Sequence, residues 1–147
     1  MSRFLSIILG LIIALCLFSG SASAAIGNSD RLEPCPSSPN CVVSVNGDEE
    51  HQIDPITYNG DRATAKETLL KVLSVVPRTE VIEDSDNYIH AESTSRIFKF
   101  VDDVEFYLPE DENVIHLRSA SRVGESDLGV NRRRMEQIRL AMQDLGV

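Results

Sequence analysis

The apolar positions of this 147-residue chain fall into three regimes: an unbroken run near the start, stretches of helical period, and between them a period of two. The first helical stretch can be capped by Asn59 or Asp61, with Thr64 and Glu67 at capping-box spacing. Its apolar residues Ala65, Leu69, Leu73 and Val76 recur at helical intervals, and Pro77 ends it. Beyond Pro77, alternation predicts four strands at 79–83, 87–93, 96–108 and 113–122, separated by Asp84-Ser85-Asp86, Thr94-Ser95 and Glu110-Asp111-Glu112. Connections this short require antiparallel pairing. A glycine-bracketed loop, Gly124 to Gly129, leads into a last helix at about 131–145, with Met135, Ile138, Met142 and Leu145 on one face and Gly146 as its stop. Two further short apolar stretches precede the first helix, at 42–45 and around Pro55. The expected fold class is therefore α+β: a curved antiparallel sheet of about four to six strands with two helices packed on one face.

Some residues break this pattern. On the third strand Phe98, Phe100, Val104, Phe106 and Leu108 share the core face, and Asp102 sits among them while Asp103 faces away. Either a carboxylate enters the core, where it needs a cation or several donors, or a β-bulge at Asp102-Asp103 turns it out. On the fourth strand, the parity of Ile115 and Leu117 carries Ser119 and Ser121 onto the apolar face and leaves Arg118 and Arg122 on the other. Asn131-Arg132-Arg133-Arg134 then opens the last helix with cations, against the helix dipole, where each costs a few tenths of a kcal/mol. Helical phase puts Asn131 on the buried side, Arg132 and Arg134 on its two edges, and Arg133 towards solvent.

Composition and charge narrow what this cluster serves. With 14 Lys and Arg against 23 Asp and Glu, the net charge of −9 argues against a nucleic-acid partner and against membrane-surface binding by overall charge. Residues 4–18 are apolar apart from Ser6 and Gly10, too short a run for a span, and lead to Ala22-Ser23-Ala24. This predicts a signal peptide over 1–24, an arm over 25–40 and one domain over 41–147, in a protein exported to a periplasmic, lumenal or secreted location with no stable membrane span after cleavage. Retention of the segment as an anchor is the alternative. Cys35 and Cys41 then form the expected loop disulfide, worth about 2 kcal/mol in the chain-entropy model. His51, His90 and His116 share no metal-ligand spacing and no cofactor motif is present, so neither a metal nor a cofactor is expected. Nor does a nucleophile elbow accompany Ser119, Ser121 and His116.

Cys35-Pro36-Ser37-Ser38-Pro39-Asn40-Cys41-Val42, Tyr88-Ile89-His90-Ala91-Glu92, Phe100-Val101-Asp102-Asp103-Val104-Glu105-Phe106 and Ser119-Ala120-Ser121-Arg122-Val123-Gly124, with Asp127, Gly129, Asn131, Arg132 and Arg134, resemble the domain of unknown function 1499 family over nearly all of the expected mature chain. The resemblance implies no activity, substrate or cofactor. It selects Arg132 and Arg134 over Arg133, as helical phase does.

The candidate ligand-binding residues are accordingly Arg122, Arg132, Arg134, Asp102, Asp103, Ser119, Ser121, Asp127 and Asn131. In one reading Asp102, Asp103 and Asp127 neutralise Arg132 and Arg134 in a structural network. In another the arginines hold a small anion or a partner protein's acidic group. A hydrolase with Asp102 or Asp103 as base, and a lipid-enclosing or interaction module, are the alternatives, and an enzyme is the less expected outcome.

Overall fold

The computed structural model describes residues 31–147; the expected signal at 1–24 lies outside them. In chain order come β1 (Cys41–Val43), β2 (Ile56–Thr57), α1 (Arg62–Val75), β3 (Thr79–Asp84), β4 (Tyr88–Thr94), β5 (Val101–Tyr107), β6 (Val114–Ser121) and α2 (Val130–Asp144). The strands form an antiparallel sheet in the order β1-β6-β5-β4-β3, with β2 pairing β6 at its other end. This is the α+β architecture that the two periods imply.

Local chemistry explains the helix ends. Asp61 caps α1 by accepting from the Thr64 amide at 2.9 Å, and α1 gives way at Val76, before Pro77. Gly129, with φ of 75°, lets the chain enter α2 through a left-handed residue that a β-carbon would strain.

One sheet face holds the main core. Val42, Ile89, Ala91, Val104, Phe106, Ile115 and Leu117 meet Leu69 and Leu73 of α1 and Met135, Ile138 and Met142 of α2 there, all buried. Side chains of the sheet and both helices thus pack together beneath α2. On the opposite face Leu32 packs on Val43 and Tyr107, so the segment before β1 is tied to the sheet. The Cys35–Cys41 disulfide is formed.

The third strand is shorter than alternation suggests. Pairing of β4 with β5 ends at Thr94 and Val101, and a six-residue hairpin loop, 95–100, replaces the expected strand start. Ser95 closes it: its amide donates to the Phe100 carbonyl at 2.8 Å and its Oγ accepts from the Phe100 amide at 2.8 Å. Phe98 and Phe100, expected in the core, are therefore exposed. The bulge considered at Asp102-Asp103 is absent, since both pair in unbroken register with Ser121 and Ala120; the irregularity lies in β3, between Val81 and Glu83.

Candidate functional site

The expected cluster divides between the two faces of the sheet. On the core face, the regular register of β5 points Asp102 inwards, where its Oδ2 accepts from Arg134 Nη2 at 2.6 Å. The two side chains are only 8% and 11% exposed, so this is a buried pair. Asn131 is the hub beside it. Its Oδ1 accepts from Ser119 Oγ at 2.5 Å and from Arg134 Nη1 at 2.7 Å, while Nδ2 donates to the Asn40 carbonyl and to Ser121 Oγ, each at 3.0 Å. Asp127 accepts from the Asn131 amide at 2.7 Å and the Gly129 amide at 2.9 Å, capping α2. The structure thus brings Asp102, Ser119, Ser121, Asp127, Asn131 and Arg134 together around the start of α2.

Arg122, Asp103 and Arg132 belong elsewhere. Arg122 lies on the outer face and donates to Asp103 through Nε at 3.0 Å and Nη2 at 2.7 Å, and also to Glu92. These carboxylates raise the Arg122 pKa. In return Arg122 foremost, helped by His90 and against desolvation, holds the Asp103 carboxyl below its usual range, which makes Asp103 a poor general base. Arg132 reaches away from the sheet, donating to the Gln52 carbonyl at 2.9 Å and the Glu50 carbonyl at 2.8 Å. It fastens the segment before β2 to the helix. The three-carboxylate neutralising network therefore reduces to a single pair, Asp102 with Arg134.

That pair forms one wall of an open groove of about 350 Å³, between the first turns of α2, the turn after α1 and the start of the 95–100 loop. Four arginines are among its lining residues, Arg78, Arg96, Arg133 and Arg134, and Asp102 is the one acidic residue there. Ser93, Thr94, Ser95 and Gln137 add polar groups. Arg78 Nε donates to the Thr94 carbonyl at 3.0 Å and Arg133 Nη1 to the Leu128 carbonyl at 2.7 Å. Among the described residues, Arg78, Arg96 and Arg133 have no carboxylate partner. In a chain of net charge −9, a groove with this surplus of cations is a local inversion of the field.

Backbone strain collects at the same end. Among the described residues, the non-glycine positions with positive φ are Arg78 at 56°, Lys99 at 58° and Leu128 at 55°, with Asn46 elsewhere. Arg78 abuts the groove, Lys99 tips the adjoining hairpin, and Leu128 precedes α2. Each such residue costs on the order of 1 kcal/mol, which packing of the surrounding turns must offset.

Sequence reasoning missed Arg78 and Arg96 and assigned Arg133 no task, because turns carry no period and their approach to α2 is tertiary. A usable signal existed: residues 94–101 contain two cations and no acid, in a chain where acids prevail. Among the described residues no group of three or more His, Cys, Asp or Glu could hold a metal ion, and no helix is long and apolar enough to cross a membrane.

A family model described as "Protein of unknown function (DUF1499)" matches residues 31–142. No curated protein matches the chain.

Proposed function

Because the chain belongs to the DUF1499 family, whose description assigns no activity, we propose its function from the groove: an exported, non-enzymatic domain that binds a small oxyanion such as a phosphate, sulfate or carboxylate group. The observation that carries this reading is the convergence of Arg78, Arg96, Arg133 and Arg134 on one opening with a single carboxylate. Guanidinium forks match the paired oxygens of these anions, and Arg stays charged at every physiological pH. Arg134 is already aimed by Asp102, Ser119 and Asn131, so little side-chain freedom remains to be lost there on binding. Asp127 occupies amides at the start of α2, which leaves the anion to the guanidiniums. Export is supported by the apolar run at 4–18, the Ala22-Ser23-Ala24 motif and the disulfide.

The hydrolase reading has less behind it. Asp102 is committed to Arg134, and Asp103 lies on the other sheet face with its pKa lowered.

Thermal unfolding in sodium phosphate, sulfate and acetate, against chloride of matched ionic strength, tests the proposal. For an open site with a dissociation constant of about 1 mM, 100 mM anion adds about 2.7 kcal/mol. The expected result is protection of the wild type that is lost in Arg96→Ala with Arg133→Ala. Equal melting in every salt would overturn it.

A further inference from the structure

The groove opens beside an apolar prominence that the core does not use. In the 95–100 loop Ile97 and Phe98 are 76% and 73% exposed, and the Phe98 and Phe100 rings stack on each other at 5.5 Å instead of on the core. Leu128, 83% exposed, lies in the neighbouring loop, whose start is joined to the hairpin by the Arg122 amide donating to the Val101 carbonyl. Water-facing aromatic and aliphatic side chains grouped at one tip mark an interaction surface. Cations surround them: Arg96 and Lys99 stand within the same loop, and Arg78 and Arg133 line the groove behind it. The acids at this end are Asp102, paired with Arg134, Asp103 and Glu92, paired with Arg122, Asp127, spent on the amides of α2, Glu80 beside Arg78, and Glu125 in the facing loop, which leaves Arg96, Lys99 and Arg133 without a carboxylate partner among the described residues.

We infer that this tip docks on a membrane surface containing anionic phospholipid, with Ile97, Phe98, Phe100 and Leu128 entering the headgroup boundary and a lipid phosphate seated among Arg78, Arg96 and Arg133. The inference rests on the anion-site reading and names its ligand. Apolar residues interleaved with Arg and Lys on a projecting loop suit an interface with hydrocarbon below and phosphate at its rim. Charge complementarity selects the anionic surface, because each Lys or Arg held near it strengthens binding about fivefold. The chain's net charge of −9 averages over this asymmetry and conceals it.

The chain contains no Trp, so Phe98→Trp places a single indole at the tip of the full chain. Its emission reports insertion of the tip whatever residues 4–18 do. We expect a blue shift on vesicles of phosphatidylcholine with phosphatidylglycerol, little change on phosphatidylcholine alone, and titrations about fivefold weaker when Arg96→Ala or Arg133→Ala is added. Unchanged emission on both vesicles overturns the inference, as does an equal shift on both. A blue shift that grows with protein concentration without vesicles identifies a second copy as the occupant, and also overturns it. Protection by inorganic phosphate separates the two readings: if it persists where the indole stays wet, membrane docking fails and the anion site stands; if it too is missing, both fail.

Discussion

Replacing Asp102 by Ala removes the groove's one carboxylate and tests structure and binding in the same molecule. Asp102 and Arg134 form a buried pair at 2.6 Å, and truncating one side leaves an uncompensated charge, a loss of about 3–5 kcal/mol. Small domains hold about 5–15 kcal/mol in total, so the variant remains folded with little margin. For a domain of this size each kcal/mol moves the melting temperature by about 3–5 °C, which gives a fall of about 10–25 °C. Asn131 Oδ1 and Ser119 Oγ still accept from Arg134 and keep it aimed at the groove. An anion there no longer competes with a fixed carboxylate. At an effective dielectric near 20, a unit charge about 5 Å away is worth about 3 kcal/mol, and halving that for the groove's open side still predicts about tenfold tighter binding. The assay is circular-dichroism melting in chloride and in phosphate, with Asp102→Asn, which keeps the shape of the side chain, as the milder variant. Phosphate should restore more stability to both variants than it adds to the wild type. Melting of Asp102→Ala within about 1 kcal/mol of the wild type, or equal protection of all three proteins, refutes the reasoning.

Other substitutions separate the roles of neighbouring residues. Arg122→Ala and Arg132→Ala should leave anion affinity within about twofold of the wild type by titration calorimetry, because their guanidiniums serve the outer face and the segment before β2. Asn131→Ala takes one hydrogen bond each from Ser119, Ser121, Arg134 and the Asn40 carbonyl, and should lower stability by about 3 kcal/mol in urea unfolding. His51 supplies a pH dependence. Burial lowers its pKa, but the Asp48 carboxylate and the Ser38 carbonyl outweigh that and leave it raised. The folded state therefore holds the proton more tightly than the unfolded chain. Its contribution is complete below the unfolded value of about 6.5 and is lost as pH rises through the raised folded value. His51→Gln should flatten that part of the stability profile.

Most of the fold is legible along the chain because period two and helical period alternate cleanly from Asp61 onwards. The exception is instructive: Phe98 and Phe100 continue the parity of Val104 and Phe106, so alternation alone extends the strand, and only the closure by Ser95 and the left-handed Lys99 break it. Sheet parity and helical phase put Asp102, Ser119, Asn131 and Arg134 within reach of one another if β5 is regular, and the unbroken register of β5 with β6 decides against the bulge that parity left open. They do not say which edge of α2 meets which segment, so Arg132 is placed beside the sheet when it fastens the 50–52 carbonyls. Arg78 and Arg96 lie in turns, where no period exists and tertiary packing alone decides what they face.

The central claim is that phosphate-like anions enter the groove of Arg78, Arg96, Arg133 and Arg134, and amide shift mapping during a phosphate titration tests it most directly. The account predicts saturable shifts confined to the groove's own segments, 76–78, 93–96 and 130–137 with Asp102, at millimolar phosphate, and their disappearance in Arg96→Ala with Arg133→Ala. Shifts centred on Arg122 or α1, or none beyond those produced by chloride, would contradict it.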